Sequence, residues 1–240
     1  MSDRVANELQ HGKYLAEHGA QYLWGWGTPA GEQRARRRGK LVAETAGLGP
    51  GVKALEVGCG TGLFTEAFVA TGAHVLAVDL SPELLAAARE RNYTGGSVDF
   101  VEARFESVGE RGPFDAIIGS SVLHHLVVEE ALERMVALLR DDGCVVFAEP
   151  NMLNPQIFVE RKFRRLFPFV SPDETAFVRG RLAGQMREAG LRDIRIVPFD
   201  WLHPLTPRWL IPAVKATGGA FEKIPLVREF SGSLLICAKK

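Results

Sequence analysis

A chain of 240 residues, 46% of them apolar, is long enough for one large α/β core and short for two independent ones. Its 29 lysines and arginines balance 29 aspartates and glutamates, which excludes a whole-molecule electrostatic pull toward nucleic acid or anionic lipid. Cys59, Cys144 and Cys237 are scattered through apolar stretches, so neither a disulfide framework nor a metal site is expected. Residues 1–10 are polar, and no run nears the roughly 18 apolar residues of a membrane span, so the expectation is a soluble, cytoplasmic chain.

In chain order, 14–44 reads as one or two helices carrying an aromatic patch at 22–26 (YLWGW). Residues 53–57 (KALEV) read as a strand running into glycines, 64–70 as a helix, and 74–78 (HVLAV) as a second strand. Ser81, Pro82 and Glu83 open the next helix with an N-cap hydroxyl, a proline at the first helical position and an early acid. Residues 98–101 and 114–119 are the third and fourth strands, 129–139 is helical, and 143–148 (GCVVFA) is the fifth strand. The run Ser171-Pro172-Asp173-Glu174 has capping-box spacing and predicts a helix to about Ala189, ended by Gly190. Strands at 194–197 and 234–238 close the chain. Short apolar strands alternating with helices predict a parallel sheet covered on both faces. The expected organisation is a single domain, with a helical segment at 1–45, a ligand-binding core at 46–149, and cap segments at 150–172 and 199–230. Proline and aromatic side chains crowd 150–172 and 199–225, two connectors that follow strands at the sheet's carboxyl edge.

The most informative stretch is 54–62 (ALEVGCGTG). Glycines between a strand and a helix let the backbone turn tightly and approach a ligand that a Cβ would exclude. A dinucleotide fingerprint puts its third glycine three residues after the second, where this chain has Leu63, and this disfavours a nicotinamide-dependent oxidoreductase. Glu56, inside the strand, would repel a pyrophosphate and attract an ammonium. Asp79 ends the second strand 19 residues after Gly60, where a carboxylate can accept from both hydroxyls of a ribose. The expected ligand has a ribose and an amino-acid ammonium but no phosphate, a description that S-adenosylmethionine meets.

The runs 55–65 (LEVGCGTGLFT), 77–81 (AVDLS) and 114–126 (FDAIIGSSVLHHL) resemble the class I S-adenosylmethionine-dependent methyltransferases, in their small-molecule branch. The resemblance implies a Rossmann-like, seven-stranded, mostly parallel sheet with helices on both faces and an antiparallel last strand. It implies S-adenosylmethionine as cofactor and S-adenosylhomocysteine as product. Glu56, Gly58, Cys59, Gly60, Asp79, Leu80, Arg104, Phe105 and Ser120 are the expected cofactor-binding residues, with the glycine loop along the methionine moiety and Leu80 on the adenine. Arg104 departs from the family, which usually has an acid there to accept from the adenine amino group; arginine offers no acceptor but can stack on a purine.

For the chemistry, His124, His125 and Glu149 are the candidates. One histidine acts as base or orients the acceptor, or else one caps a helix and the other is exposed. Glu149, with Asn151 beside it, either orients an acceptor group or fixes a loop. An arginine of 34–40 (RARRRGK) reaches the cofactor carboxylate, or the run is a solvated helix face. Trp24 and Trp26 wall the ligands or simply pack, and His203 faces the acceptor. The expected reaction is methyl transfer to an oxygen or nitrogen of a small, partly apolar acceptor, with no nucleic acid expected. The alternatives are an RNA or protein acceptor and a non-catalytic cofactor-binding module, and the sequence does not indicate an oligomeric state.

Overall fold

The structure is a computed structural model that describes residues 2–109, 111–163 and 176–240, of residues 2–4 the backbone alone. Strands β1 (Lys53–Val57), β2 (His74–Asp79), β3 (Ser97–Glu102), β4 (Phe114–Ser120), β5 (Leu139–Pro150), β6 (Arg192–Phe199) and β7 (Ser233–Lys239) form one sheet. Its order is β3-β2-β1-β4-β5-β7-β6. The neighbours from β3 to β5 are parallel, and β7 runs antiparallel between β5 and β6. This is the Rossmann-like sheet that the sequence predicts, antiparallel last strand included.

The helices are α1 (Ser2–His18), α2 (Ala20–Leu23), α3 (Pro29–Thr45), α4 (Leu63–Val69), α5 (Pro82–Arg89), α6 (Val128–Leu138), α7 (Pro155–Lys162), α8 (Arg179–Glu188) and α9 (Ile211–Phe221). Successive side chains of a strand point to opposite faces, so a strand apolar at every position needs cover on both. Leu55 and Val57 of β1 and Leu76 and Val78 of β2 pack with Leu132 and Met135 of α6 and Leu182 and Met186 of α8. Ala54, Val75 and Ala77 pack on the other face with Val42 of α3, Phe68 of α4 and Leu85 of α5. The chain order reverses between β1 and β4, and the crevice at the carboxyl ends of these two strands is where open α/β sheets bind ligands.

Two expectations change, and a third lies outside the described residues. The helix expected from Ser171 starts at Arg179 among the described residues, because Phe177 is held extended. Phe177 is buried, bridges Asn151, donates its N–H to Pro150 O and accepts from Met152 N. The capping run 171–174 and most of the basic-aromatic stretch 161–169 lie outside the described residues. The two irregular connectors also carry helices. Asn154 caps α7, accepting from Gln156 N and Ile157 N, and both α7 and α9 have proline in the first turn.

Candidate active site

The turn after β1 is closed by backbone bonds. Val78 O accepts from Gly58 N and Cys59 N at 2.8 and 3.1 Å, and Gly62 N donates to Cys59 O at 2.9 Å. Gly58 sits at φ +65°, and a Cβ there would lie 2.3 Å from Val122 Cγ2, so only glycine fits against the strand-four loop. Beside the turn Asp79 accepts from Gly60 N (2.7 Å) and Ser81 N (2.9 Å). Burial pushes its carboxyl upward and these amides oppose the shift without cancelling it.

These turns floor a cavity of about 810 Å³, within the ~300–1,000 Å³ range of small-molecule sites. Gly58, Cys59 and Gly60 line it, as do Asp79 and Leu80 from the second turn. Arg104 and Phe105 line it after β3, with Arg104 pairing Glu106 at 3.4 Å, and Ser120, His124 and His125 line it after β4.

Two candidates lie behind the wall. Glu56 is 2% exposed, does not line the cavity, and its Oε2 has no hydrogen-bond partner. Burial pushes its carboxyl up to about 8; the neighbouring Thr65 hydroxyl opposes the shift without closing a bond of ordinary geometry. The sequence reading expects Glu56 to meet the cofactor's ammonium; the structure places its carboxyl behind the loop rather than in the cavity wall.

Glu149 is fully buried, also outside the wall, and fixes the loop after β4. Its Oε1 accepts from Val122 N and Leu123 N, both at 2.9 Å, and its Oε2 lies 2.5 Å from His124 Nδ1. Burial opposes its charge, but the His124 imidazole and the two amides outweigh it and hold the carboxyl below its ordinary value. An ionised carboxylate only accepts, so a proton of the His124 ring sits on Nδ1, facing Glu149. Of the two readings of Glu149, the loop-fixing one holds. The His125 ring lies against that of His124, centroids 4.3 Å apart and tilted by 39°, and its Nδ1 meets Glu8 Oε1 at 3.2 Å. Asn151 is buried and donates to Glu229 O and Ser231 O, a loop tie as well.

The basic run of α3 divides by direction. Arg36 pairs Glu32 on the surface and Arg37 pairs Glu222, whereas Arg34 and Arg38 reach the cavity. Arg34 pairs Asp200 at 2.8 Å. Arg38 is 3% exposed and donates to Ser120, Ser121 and Ser233 hydroxyls and to Ala148 O. No carboxylate among the described residues lies within 4 Å of it, and its Nε has no partner. Burial, reinforced by Arg34, pushes its pKa down to about 10. It is a buried cation with no carboxylate in contact, Asp200 and Glu149 offsetting its charge only from a distance.

The wall also takes residues that sequence reasoning passed over. Glu8, His11, Gly12 and Leu15 of α1 line it, though α1 showed no motif. Trp24, Trp26 and His203, which the sequence does single out, line it too, with Trp201 from the second connector. Leu205 N donates to His203 Nδ1 at 3.1 Å, which puts the ring proton on Nε2, and burial followed by Arg34 lowers the ring's pKa. Trp209, one of the aromatic side chains of the connector 199–225, is 80% exposed and outside the wall.

A family model described as a methyltransferase domain matches residues 55–145. The ubiquinone biosynthesis O-methyltransferase of Xylella fastidiosa (strain M23) is 30% identical over 203 residues, covering 79% of this chain and 81% of that protein. The chain belongs to the class I S-adenosylmethionine-dependent methyltransferases. Solved structures share the methyltransferase's fold. N-methyltransferase NodS of Bradyrhizobium japonicum WM9, in complex with S-adenosylhomocysteine, is 18% identical with a TM-score of 0.58 over 89% of each chain. Magnesium protoporphyrin IX methyltransferase of Synechocystis PCC 6803, also with S-adenosylhomocysteine, is 16% identical with a TM-score of 0.61, covering 95% of this chain and 96% of that one.

The methyltransferase uses S-adenosylmethionine, and the residues present fit it. The Gly58 turn has no room for a side chain, the Asp79 carboxylate can accept from hydroxyls, and Arg38 is a buried cation lacking the carboxylate that the cofactor carries. No helix among the described residues is long and apolar enough to cross a membrane.

Proposed function

We propose that the enzyme methylates an oxygen or nitrogen of a small, partly apolar acceptor, with His124 taking the acceptor's proton. The carrying observation is the lining of the cavity. The glycine loop and Asp79, His124, and an apolar set of Ile157, Trp201, Leu202, Pro204 and Leu205 all line this one space. Apolar surface of that kind suits a substrate with substantial apolar area, and His203 Nε2–H supplies a donor in it. The residues of 150–163 and 199–205 in this wall support their role as an acceptor cap. That the relative from Xylella fastidiosa is named an O-methyltransferase favours oxygen.

When bound, the cofactor supplies a methyl group already activated on a sulfonium. Asp79 would hold the ribose hydroxyls, Leu80 and Phe105 would flank the adenine, and Arg38 would meet the carboxylate. The protein's remaining task is to hold a nucleophile about 3 Å from the methyl and in line with it. Nε2 of His124 is the base when the nucleophile holds its proton tightly, and the ionised Glu149 on Nδ1 stabilises the imidazolium that results.

The test is transfer of labelled methyl from S-adenosylmethionine to a panel of apolar phenols, catechols and amines. Label in one class of small molecule supports the reading. Label that enters only RNA or protein overturns it.

A further inference from the structure

The neutral balance of the chain breaks down locally. A second cavity, a groove of about 850 Å³, is lined by α3 and α9. Arg34, Arg36, Arg37 and Lys40 reach it from α3, Arg208 from the turn 208–210 and Lys215 from α9, against three carboxylates, Glu32, Asp200 and Glu222. All three carboxylates are already taken. Glu32 meets Arg36 at 3.3 Å, Asp200 meets Arg34 at 2.8 Å, and Glu222 accepts from both terminal nitrogens of Arg37 at 2.8 and 2.6 Å. Lys40 turns to Glu44, outside the lining, at 3.6 Å. Two cations are left over. The Arg208 side chain has no hydrogen-bond or ion-pair partner among the described residues, and Lys215 donates only to the neutral Gln33, at 2.8 Å.

Cations gathered without counter-charges repel one another, and a bound anion relieves that repulsion. The guanidinium forks of Arg37 and Arg208 match phosphate and carboxylate alike, and Lys215 adds a point charge. There is room as well: a Cβ on Gly219 would meet nothing within 4 Å. Trp201, also in the lining, has a buried Nε1–H without a partner.

The groove shares a wall with the larger cavity, since Arg34, Asp200, Trp201 and Leu202 line both. One chain of polar bonds crosses that wall. Arg37 holds Glu222, Glu222 Oε1 accepts from Asp200 N at 2.8 Å, and Asp200 Oδ2 accepts from Arg34 Nε. Asp200 sits at φ +76°, a left-handed conformation that residues other than glycine adopt rarely, so these bonds hold it in place.

We propose that the groove is a second ligand site, for a small anion carrying two or more phosphate or carboxylate groups, and that its occupant acts on the larger cavity through the shared wall. An anion held by Arg208 and Lys215 competes with Glu222 for the Arg37 fork. Glu222 then grips the Asp200 amide less firmly, and the segment that follows Asp200 shifts on the cavity side. The groove is open to water, so the attraction is screened and fades with salt.

The test needs neither methyl donor nor acceptor. Pyrophosphate, and citrate in a parallel arm, are titrated into the full chain by calorimetry and followed by backbone amide NMR. At low salt the better of the two should bind with a dissociation constant on the order of 0.1 mM and weaken roughly tenfold at high salt. Which of the two binds tighter tells a phosphate site from a carboxylate site. Arg208→Glu and Lys215→Glu should each weaken binding at least about fivefold, whereas Arg187→Glu, on α8, should stay within about twofold. The Leu205 amide, in the larger cavity and not in the groove, should shift as the anion binds to the wild type and stay still in Arg208→Glu. Failure of both anions to bind, affinity that ignores both groove variants, or an equal loss in Arg187→Glu overturns the site. Binding that the groove variants abolish, with a motionless Leu205 amide in the wild type, overturns the coupling.

Discussion

The floor of the cavity is backbone and its roof is side chain. Below, the turns at 57–62 and 79–81 are locked by amides donating to Val78 O, Cys59 O and the Asp79 carboxylate. Above, the wall depends on separate long-range ties: Thr28 Oγ1 to Pro204 O at 2.6 Å, Arg34 to Asp200 at 2.8 Å, Asn154 Nδ2 to Phe230 O at 2.9 Å. A turn closed by its own peptide groups is insensitive to most side-chain changes, whereas a wall of individual contacts can be recut one residue at a time. In the function proposed above, the floor takes the cofactor and the roof takes the acceptor.

If the floor is a locked unit, breaking its buried anchor should have the largest effect. Glu149→Ala orphans three donors, two of them backbone amides, and should destabilise the protein by about 3–5 kcal/mol in urea melts. Glu149→Gln keeps an acceptor for the amides and should cost clearly less. Equal losses would mean that charge on His124, rather than loop closure, is what Glu149 supplies.

Glu56 tests the floor from behind. Its folded pKa, about 8, lies above the unfolded carboxylate value, so the folded state binds the extra proton. Stability from this group is present below about pH 4.5 and lost as pH rises through 8, a fall of up to about 4 kcal/mol. Glu56→Gln should flatten that slope in denaturant melts at pH 5 and pH 8. An unchanged slope would place the titration on another group.

Asp79→Ala should weaken S-adenosylhomocysteine binding by roughly 1.5–3 kcal/mol in calorimetry, the range for hydrogen bonds to a charged group. Unchanged affinity would remove Asp79 from the cofactor site. His124→Ala should keep that affinity and lose at least about tenfold in turnover, or ~1.4 kcal/mol, the mark of a contact made mainly in the transition state. Wild-type turnover would leave His124 as packing against Glu149.

The same division explains what could be read from the sequence. The strands, the glycine turn and Asp79 are local: each follows from a short run of residues, and their alternation with helices indicates a parallel sheet, while the antiparallel last strand comes only from the family resemblance. Glu149 was placed at the right strand end, but whether it faced the acceptor or the Val122 and Leu123 amides depends on a contact 26 or 27 residues away. Glu8 and Gly12 were illegible, since a polar helix gives no sign of what it lies on. Arg38 was one of several arginines in a run, and only the burial of one side of α3 separates it from Arg36. The opening turns of α7 and α9 are legible in Asn154-Pro155 and Pro212, but the density of prolines around them suggests an irregular chain instead.

The smallest effect discriminates most sharply within the roof. Two tryptophans stand eight residues apart in the second connector, and sequence alone treats them alike. Trp201 lines the cavity, stacks edge-on against Phe221 at 5.3 Å, and stands on Gly218, where a Cβ would lie 2.9 Å from its own. Trp209 is 80% exposed. If the roof selects the acceptor through individual contacts, Trp201→Ala should raise the acceptor's Michaelis constant and leave S-adenosylhomocysteine affinity within about threefold, under 1 kcal/mol. Trp209→Ala should change neither by more than about twofold, as for most exposed sites. A Michaelis constant that responds equally to both substitutions would mean that the segment acts as one mobile body, with its outer face as much a part of recognition as its inner one.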